Sequence, residues 1–529
     1  MMELGIDSSI PTYSGGMGVL GGCMAKAAAD IGLPFAVVTN LYNRGYFRQE
    51  IDKEGNQVEH YDPWKPEEKM QKIPEHIYVK IEGRDVAVHA WRYDVKGRRG
   101  VVPVYFLDTN GNGNHPRDEE ITSRLYRDDL RIKQEAVLGI GGARLLEKLG
   151  YDIGTYHMNE SHSAFLVLEL LKKMPLEKVK ELCVFTTHSP VAGHEHHDYG
   201  TVRNVIGDLP VNIGDLAGRG WLDMTKFAMN SSRYVNGVSK KHGETCGIDY
   251  ITNGAHAYTW VSKPFQELYD SEIPQWRDDP GELRNAHKIE RSKILVAHQA
   301  AKDMAPDYTE EKLGIRFDPN RPIIGWARRM TCTADEYKRP WLLFSDMERL
   351  TNTLKKYDAQ LIYGGKAHPS DWKAKLTIRY INGRLKELRE KGINAGYGSN
   401  YGMNDCAMLT SFCDIWLNTP RVPCEASGTS GMCADLNGVP QHSTLDGWWY
   451  EAMANVGGAE GVIGWSIGGT TSDDRKDAED LLRKLDITLP KTGSLEMAEV
   501  MAGAIARNAS HFTSERMMKE YAEKAYGCM

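Results

Sequence analysis

The sequence lacks the features that mark membrane, secreted and nucleic-acid-binding proteins. No apolar run approaches the roughly 18–20 residues that cross a bilayer, and residues 1–7 show neither the basic nor the apolar region of a signal peptide. The nine cysteines include no Cys-x-x-Cys pair, so we expect reduced thiols, several of them buried. A formal net charge of −7 provides no basic footprint for nucleic acid or for an anionic membrane. We therefore expect a cytoplasmic protein that binds neither.

Internal repeats and low-complexity segments are absent as well. The 529 residues show short apolar runs that alternate with longer helical patterns, which is typical of α/β layering with parallel sheets. The predicted strands are 35–39, 102–107, 182–187, 322–326, 360–363 and 415–417. The clearest predicted helices are 17–31 and 132–149.

The order of these elements predicts two Rossmann-like domains that face a central cleft. The first would span residues 1–262, and the second would span residues 319–493. A polar, helical connector over 263–318 separates them. A last helical segment, 494–529, would return to the first domain.

A glycine-rich loop, Gly15-Gly16-Met17-Gly18, opens the first predicted helix. Free N–H groups at a helix start attract anions, so the loop favours phosphate binding. Dinucleotide binding is an alternative, but it requires an acidic residue about 20 positions further on, and the next strand ends at Thr39-Asn40. Glycines used only for tight turns are the other alternative.

Basic residues follow the predicted strand 322–326. They are Arg328-Arg329 and Tyr337-Lys338-Arg339. Because ligands of α/β sheets bind at the carboxyl ends of strands, these cations form a candidate phosphate clamp. The alternative is a solvated charge run.

Polar residues also follow three further strands, as Asn159-Glu160-Ser161-His162, Thr187-His188 and Thr252-Asn253. Each alone could be a simple turn. Together they would converge on one cleft, where such groups can hydrogen-bond the hydroxyls of a sugar.

Collinear segments along nearly the whole chain resemble the α-glucan phosphorylases, in their short form. They include Tyr13-Ser-Gly-Gly-Met-Gly18, Met158-Asn-Glu-Ser-His162, Thr186-Thr-His-Ser-Pro190, Tyr363-Gly-Gly-Lys366 and Glu425-Ala-Ser-Gly-Thr-Ser-Gly-Met432. The resemblance implies a GT-B fold and retaining transfer of an α-glucosyl unit to or from phosphate, with a sugar donor and a glucan or small-molecule acceptor. Family members are often dimers, so a homodimer is possible.

The resemblance also implies roles for individual residues, with His188, Arg329, Lys338 and Glu425 in the catalytic centre. Gly15 and Gly16 would offer N–H groups to phosphate, with Thr429 nearby. Arg329 and Lys338 would hold the substrate phosphate. His188 and Asn253 would bind the 6-hydroxyl side of the glucosyl unit, and Glu425, Ser427 and Gly428 the 3- and 4-hydroxyl side. Glu160 and His162 would lie beside the sugar.

Three features depart from the family pattern. Cys433 stands where the family has the lysine that holds pyridoxal phosphate as a Schiff base, so no covalent cofactor is expected and only non-covalent pyridoxal phosphate remains possible. Residues 330–336 separate Arg328-Arg329 from Tyr337-Lys338 by four residues more than is usual. Asp435 adds a negative charge where small or apolar residues are common.

Three hypotheses follow from the missing lysine. The donor is a nucleotide sugar whose diphosphate fills the space of cofactor and substrate phosphates, as in related GT-B glycosyltransferases. Alternatively, the protein is a phosphorylase that binds pyridoxal phosphate without a covalent bond. In the third hypothesis it is a catalytically inactive carbohydrate-binding homologue.

Two chemistries are not expected. Cys433 has no paired base in the sequence, so we interpret it as a small buried hydrophobic residue and not as a nucleophile. The segment His194-Glu-His-His197 looks like a metal cluster, but no ligand from another part of the chain is evident, so no metal site is predicted.

Overall fold

A computed structural model describes residues 1–111, 113–190, 195–331 and 336–528 as a mixed α/β protein. Its strands are β1 (Val37–Asn40), β2 (Arg48–Ile51), β3 (Gln57–His60), β4 (Gln71–Ile81), β5 (Arg84–Lys96), β6 (Val101–Asp108), β7 (Tyr156–Asn159), β8 (Cys183–Thr186), β9 (His196–Asp198), β10 (Trp221–Asp223), β11 (Tyr234–Gly237), β12 (Asp249–Tyr250), β13 (Ile323–Ala327), β14 (Gln360–Gly364), β15 (Ala395–Gly398), β16 (Ile415–Asn418), β17 (Gln441–Thr444) and β18 (Gly464–Ile467).

The longer helices lie between these strands and after them. They are Gly16–Ile31, Tyr199–Ile206, Lys263–Glu272, Arg291–Lys302, Ala305–Leu313, Met347–Lys356, Trp372–Glu390, Met403–Phe412, Gly447–Asn455, Asp474–Thr488 and Leu495–Gly503. Shorter helices are Pro116–Glu119, Arg131–Ala136, Gly142–Lys148, Leu166–Leu171, Leu176–Leu182, Ile213–Ala217, Met224–Asn230, Lys240–Cys246, Ala257–Trp260, Ser430–Asp435 and Ser514–Glu520. Among the described residues, no helix combines the length and the apolar character that a bilayer crossing needs.

Two four-stranded sheets form in the first half of the chain. Strands β7, β8, β11 and β12 are all parallel, in the order β12-β11-β8-β7. The other sheet, β1-β6-β5-β4, is parallel at β1–β6 and antiparallel elsewhere. The expectation of parallel sheets is therefore wrong for β4 and β5, which form a long hairpin. Its turn residues, Glu82 and Gly83, have φ of 50° and 78°, the backbone that a tight hairpin turn requires.

The second half is built on one parallel sheet of six strands, in the order β15-β14-β13-β16-β17-β18. Numbered within this sheet, the order is 3-2-1-4-5-6, that of a doubly wound dinucleotide-binding fold. The strand order reverses between β13 and β16. Ligands of such sheets bind at the carboxyl ends of the strands that flank this reversal.

The helix Gly16–Ile31 is rich in glycine and alanine because it packs closely against its surroundings. A Cβ at Gly22 would lie 1.9 Å from the Gly5 carbonyl oxygen, so only glycine fits there. The helix ends at Gly32, which has a left-handed φ of 74°. The helix Ser514–Glu520 packs on the same helix, and Met517 and Met518 are fully buried in the cluster that contains Leu20.

Candidate active site

Predicted site residues lie side by side at the carboxyl ends of the parallel sheet β12-β11-β8-β7. Glu160 follows β7 directly, His188 stands two residues after β8, and Asn253 stands three residues after β12. Together with His162 they form what we call the N-terminal cluster. The parallel order of the sheet places these strand ends at one edge, as the sequence predicted.

Glu160 ties two loops of the N-terminal cluster together. Its carboxylate accepts the N–H of Ser161 at 2.9 Å and the N–H of His188 at 2.8 Å. The residue has a φ of 67°, which is unusual for a non-glycine residue and is held by these bonds. The His188 ring bonds to the Asn159 side chain, and burial lowers the pKa of His188 to about 3. His188 is therefore a neutral hydrogen-bonding group at physiological pH.

Three of the predicted sugar contacts carry a buried polar atom that has no hydrogen-bond partner in the described part of the chain. They are Asn253 Oδ1, Ser427 Oγ and His162 Nδ1. Asn253 is 2% exposed and Ser427 is 7% exposed. An unsatisfied buried polar group costs about 1–3 kcal/mol, so such groups call for a partner. Hydroxyl groups of a bound sugar are suitable partners.

A basic cluster, Arg328, Arg329 and Lys338, follows β13. Glu425, in the loop after β16, accepts from Lys338 Nζ at 2.8 Å and from Arg328 Nη1 at 3.1 Å. Burial alone would raise the pKa of Glu425, but Lys338 and Arg328 hold it below its usual value. The strands β13 and β16 flank the reversal of the sheet order, so cations and carboxylate meet where this fold binds ligands.

Lys338 is the cation whose charge depends most on its surroundings. Burial lowers the pKa of Lys338 to about 8, Arg328 and Arg329 lower it further, and Glu425 opposes the shift. Arg329 is exposed. Arg339 does not join the cluster, because its buried side chain bonds to Asp477, at 2.7 Å, and to carbonyl oxygens of Thr419 and Pro420.

The glycine-rich loop reaches the basic cluster. A Cβ at Gly15 would lie 3.5 Å from Cδ of Arg329, and one at Gly16 would lie 3.8 Å from Oγ1 of Thr429. The Gly15 N–H donates to Glu3 Oε2 at 3.1 Å. This N–H is therefore engaged within the protein, and the helix start at Gly16 is the part of the loop that faces Thr429.

A contact between the two halves of the chain closes the site. Ser239, two residues after β11, donates its hydroxyl to the Ala426 carbonyl at 2.7 Å. The loop 425–429 is held from behind, since Trp448 Nε1 donates to the Gly428 carbonyl at 3.1 Å and Gly428 has a left-handed φ of 89°. The first half of the chain thus contacts, through Ser239, the loop that pairs with the basic cluster through Glu425.

Comparison with known proteins identifies the family. A family model described as carbohydrate phosphorylase matches residues 211–480. A maltodextrin phosphorylase of Thermococcus litoralis is 35% identical over 99% of this chain and 70% of the relative. The chain belongs to the carbohydrate phosphorylase family. The predicted family and the enzyme class, a hexosyltransferase of the phosphorylase type, are confirmed.

Other phosphorylase relatives match over similar lengths. A glycogen phosphorylase of Aquifex aeolicus is 32% identical over 99% of this chain and 85% of the relative. An uncharacterised protein of Methanocaldococcus jannaschii is also 32% identical, over 99% of this chain and 98% of the relative.

Cys433 packs as an interior residue of this phosphorylase-family chain. It lies in the helix Ser430–Asp435, is 3% exposed and belongs to the core cluster that contains Met432 and Trp448. Burial raises the pKa of the Cys433 thiol well above its usual value, and the neighbouring Cys406 adds to the shift. The thiol is therefore neutral. Because Cys433 has no amine, it cannot form a Schiff base with the aldehyde of pyridoxal phosphate. The residues present do not fit a covalently held pyridoxal phosphate.

Asp435, the third departure from the family pattern, lies in the protein interior. The residue is fully buried, and its carboxyl oxygens accept from Gln441 at 2.9 Å and from Asn508 at 2.7 Å. Burial raises the pKa of Asp435 well above its usual value, and the hydrogen bonds from Gln441 and Asn508 oppose this shift. Of the insertion 330–336, residues 332–335 lie outside the described residues.

Two carboxylates that support the site were missed in the sequence. Glu3 accepts from the glycine loop and from the Tyr126 hydroxyl at 2.8 Å. Asp446 accepts the Glu425 N–H at 2.7 Å and begins the helix Gly447–Asn455. Asp446 precedes Gly-Trp-Trp, and an acidic residue before a helix is a capping signal that could have been noticed.

The His-rich segment does find a partner elsewhere in the chain. His194 lies outside the described residues, but His197 Nε2 is 3.1 Å from Glu135 and 3.7 Å from Glu195. Arg131 Nε is 3.4 Å from Glu195, so an arginine supplies a positive charge beside this carboxylate pair. His162 is 3.9 Å from Glu195, which places the group at the border of the N-terminal cluster.

A cleft of about 800 Å³ lies on the far side of the glycine loop. Tyr13, Ser14, Lys366, Tyr401 and Asp405 line it, and none of Glu425, His188 or Asn253 does. The candidate site is therefore defined by its side chains and not by this cleft.

Proposed function

We propose that this chain is a retaining glycosyltransferase of the GT-B type, which transfers an α-glucosyl unit between a nucleotide-sugar donor and a glucan or small-molecule acceptor. Two Rossmann-like domains, residues 1–262 and 319–493, would face each other across the site, joined by the connector 263–318 and recrossed by 494–529. The strand order of the six-stranded sheet and the contact from Ser239 to Ala426 support this organisation.

The observation that supports sugar binding best is the set of unsatisfied buried atoms. Asn253 Oδ1 and Ser427 Oγ come from opposite halves of the chain, and a glucosyl unit between them would satisfy both. Neutral His188 and the backbone of Gly428 complete a polar, largely uncharged pocket. Such a pocket suits hydroxyl groups, since hydroxyl groups both donate and accept hydrogen bonds.

The basic cluster suits the phosphate of the donor. Retaining glycosyl transfer passes through an oxocarbenium-like sugar while negative charge develops on the leaving phosphate. Arg329, Lys338 and the helix start at Gly16 would stabilise that charge. Lys338 would have to exchange its bond to Glu425 for the phosphate, which leaves Glu425 Oε2 bonded to Arg328 and able to accept from a sugar hydroxyl as well.

The absence of a cofactor lysine favours a donor that brings its own second phosphate. Cys433 offers no tether, and a diphosphate would span from Lys338 to Gly16 and Thr429. A phosphorylase with non-covalent pyridoxal phosphate is the second candidate. The helix start at Gly16, which lies close to Thr429 of the second half, supports this candidate equally well, because it could bind the phosphate of either ligand.

Calorimetry on the full chain separates the two candidates. UDP-glucose and ADP-glucose should bind, and the bound donor should glucosylate maltooligosaccharides. If neither nucleotide sugar binds, while pyridoxal phosphate and inorganic phosphate together release glucose 1-phosphate, the donor proposal fails and the phosphorylase candidate stands. Oligosaccharide binding with no turnover of any donor would indicate an inactive homologue.

Asn253→Ala provides a direct test of the pocket. Loss of one buried hydrogen bond to the sugar, about 1.5–3 kcal/mol, should lower kcat/KM by roughly 10- to 100-fold. Asn352→Ala is the matched control, because Asn352 is exposed on the helix Met347–Lys356. Equal activity of the two variants would contradict the assignment of Asn253.

A further inference from the structure

Three ionisable residues from distant parts of the chain meet away from the candidate active site. Asp30 lies at the end of the helix Gly16–Ile31, His256 precedes the helix Ala257–Trp260, and Glu515 lies in the helix Ser514–Glu520. One ligand atom from each lies within 4.8 Å of the others. The residues are 5%, 6% and 3% exposed, so the group is closed off from solvent.

The charges of this group are not balanced by donors. His256 Nε2 is 2.9 Å from Asp30 Oδ2 and 3.9 Å from Glu515 Oε1. Glu515 Oε1 has no hydrogen-bond partner within the described ranges, although its side chain is 4% exposed. The other oxygen, Oε2, accepts from the Ser514 hydroxyl at 3.3 Å, and a buried polar atom without a partner is costly. The imidazole nitrogen, 3.9 Å away from Oε1, is too far to form a hydrogen bond with this oxygen, and a cation bound between the two would satisfy it.

An arginine near this group, Arg98, bonds to an oxygen of Asp30. Arg98 donates its N–H to Asp30 Oδ1 at 2.8 Å, and its Nε lies 3.6 Å from the same oxygen. Its guanidinium also bonds to the Arg277 carbonyl. Arg98 therefore bonds to Asp30 Oδ1, whereas His256 is paired with Asp30 Oδ2.

The imidazole is oriented as a metal ligand would be. His256 Nδ1 is 2.8 Å from Thr259 Oγ1, which also accepts from Lys26 Nζ at 3.0 Å. Metal-bound histidines are usually fixed through the second ring nitrogen in this way, which leaves Nε2 for the ion. Ligand atoms about 2.0–2.2 Å from one ion are spaced roughly 3–4 Å apart, and the distances of 2.9 Å and 3.9 Å from His256 Nε2 to the two carboxylate oxygens are close to this range.

We propose that Asp30, His256 and Glu515 form a closed binding site for a divalent transition-metal ion, Zn²⁺ or Mn²⁺. One imidazole and two carboxylates are a mixed nitrogen and oxygen set, which suits these ions better than Ca²⁺ or Mg²⁺. The ion supplies the positive charge that Glu515 lacks, and it ties the helix Ser514–Glu520 to the loop that precedes Ala257.

The ion would stabilise a loop that belongs to the active site. Ala255 donates its N–H to the Phe512 carbonyl at 2.9 Å and accepts the Ser514 N–H at 3.0 Å. Arg516 donates to the Asn253 carbonyl at 3.0 Å. A metal bound to His256 and Glu515 would therefore hold the segment that carries Asn253.

The test uses the full chain without an affinity tag. After treatment with a chelator, Zn²⁺ and Mn²⁺ are titrated separately, with bound metal measured by mass spectrometry and the melting temperature recorded. One equivalent should bind and raise the melting temperature. Glu515→Gln should weaken binding at least tenfold, while Glu523→Gln, an exposed residue of the same C-terminal segment, should bind as the unmodified chain does.

Two further measurements test the metal site in case Glu515→Gln does not fold. Glu515→Asp keeps the charge but shortens the reach, and it should also bind metal more weakly. Co²⁺ added to the unmodified chain should give visible absorption bands of a low-symmetry site. No stoichiometric binding of Zn²⁺ or Mn²⁺, unchanged binding in both Glu515 variants, or no Co²⁺ bands would show a purely hydrogen-bonded ionic group.

Discussion

At the scale of single residues, Lys338 determines how the basic cluster responds to pH. Its pKa is lowered to about 8, chiefly by burial, whereas the neighbouring arginines stay charged at any pH of interest. The cluster therefore loses one of its three positive charges as the pH rises through 8. Below that pH all three side chains are positively charged, including the two, Arg329 and Lys338, that we propose to bind the donor phosphate.

Donor affinity should accordingly fall above about pH 8. Above the pKa, the protonated fraction of Lys338 falls by up to roughly tenfold for each unit of pH, and the affinity for the donor phosphate falls with it. Lys338→Arg should bind the donor with an affinity that is nearly flat between pH 7 and 9, because a guanidinium does not deprotonate there. Calorimetric titration with the nucleotide-sugar donor at several pH values measures the effect. If the donor affinity of Lys338→Arg decreases with pH in the same way, a group other than Lys338 is responsible.

Cys433 should behave as a packing residue. Cys433→Ala removes a small apolar group and should leave glycosyl transfer within about threefold of the unmodified chain. Cys433→Ser places a hydroxyl in the same apolar position and should cost about 1–3 kcal/mol of unfolding free energy. Urea denaturation and activity assays measure both. Complete loss of transfer in a well-folded Cys433→Ala variant would point to a thiol that takes part in the reaction.

At the scale of elements, the helix Ser514–Glu520 holds the loop that carries Asn253, the residue we propose to bind sugar. Arg516 donates to the carbonyl oxygens of Thr252, at 2.8 Å, and Asn253, at 3.0 Å, and its side chain also pairs with Glu520. Arg516 touches the backbone of Asn253 and makes no contact with its side chain amide in the described bonds. It is therefore a positioning residue.

Arg516→Met should weaken oligosaccharide binding about three- to tenfold, because two charge-assisted bonds that fix the loop are lost. The effect should appear mainly in KM, with a smaller change in kcat. Arg507→Met, an exposed arginine in the preceding helical segment, should change neither constant. Steady-state kinetics with a maltooligosaccharide acceptor measures the split. If Arg516→Met and Arg507→Met change kcat and KM to the same extent, Arg516 has no specific positioning role.

Several buried strands could be predicted from local pattern, but the pairing of strands could not. The predicted segments 102–107 and 360–363 match β6 and β14 within a residue or two, because buried parallel strands are short apolar runs between turn signals. The β4–β5 hairpin was missed, although Ile77, Val79 and Ile81 alternate with polar residues before Glu82-Gly83. An alternating pattern that ends in a tight-turn signal is readable in the sequence.

The candidate site was predictable where a strand end is followed by polar residues, and it was not where contacts are distant in sequence. Glu160, His188 and Asn253 follow strands and were identified. Glu3 and Glu135 meet their partners only through the packing of helices and sheets. The direction of Asp435 is set by Gln441 and Asn508, which a helical register read from sequence alone does not reveal.

At the scale of the whole molecule, the two halves of the chain contribute different chemistry to one site. The N-terminal cluster offers neutral hydrogen-bonding groups, while the basic cluster offers cations. The glycine loop belongs to the first half but faces Arg329 and Thr429 of the second. A ligand that has both a sugar and a phosphate would therefore bridge the halves, and each part of the ligand should be separately sensitive to substitution.

Gly16→Val tests whether the phosphate and the sugar of the ligand are bound by separate groups. The substitution places a branched side chain toward Thr429 Oγ1, which already lies 3.8 Å from a Cβ at that position, and so fills the space expected for phosphate. Donor affinity should fall at least tenfold, while oligosaccharide binding should stay unchanged because it depends on Asn253 and Ser427. Gly383→Val is the control, since a Cβ there meets nothing within 4 Å and the residue also lies in a helix. If Gly16→Val weakens donor and oligosaccharide equally at an unchanged melting temperature, the two halves do not separate phosphate from sugar recognition.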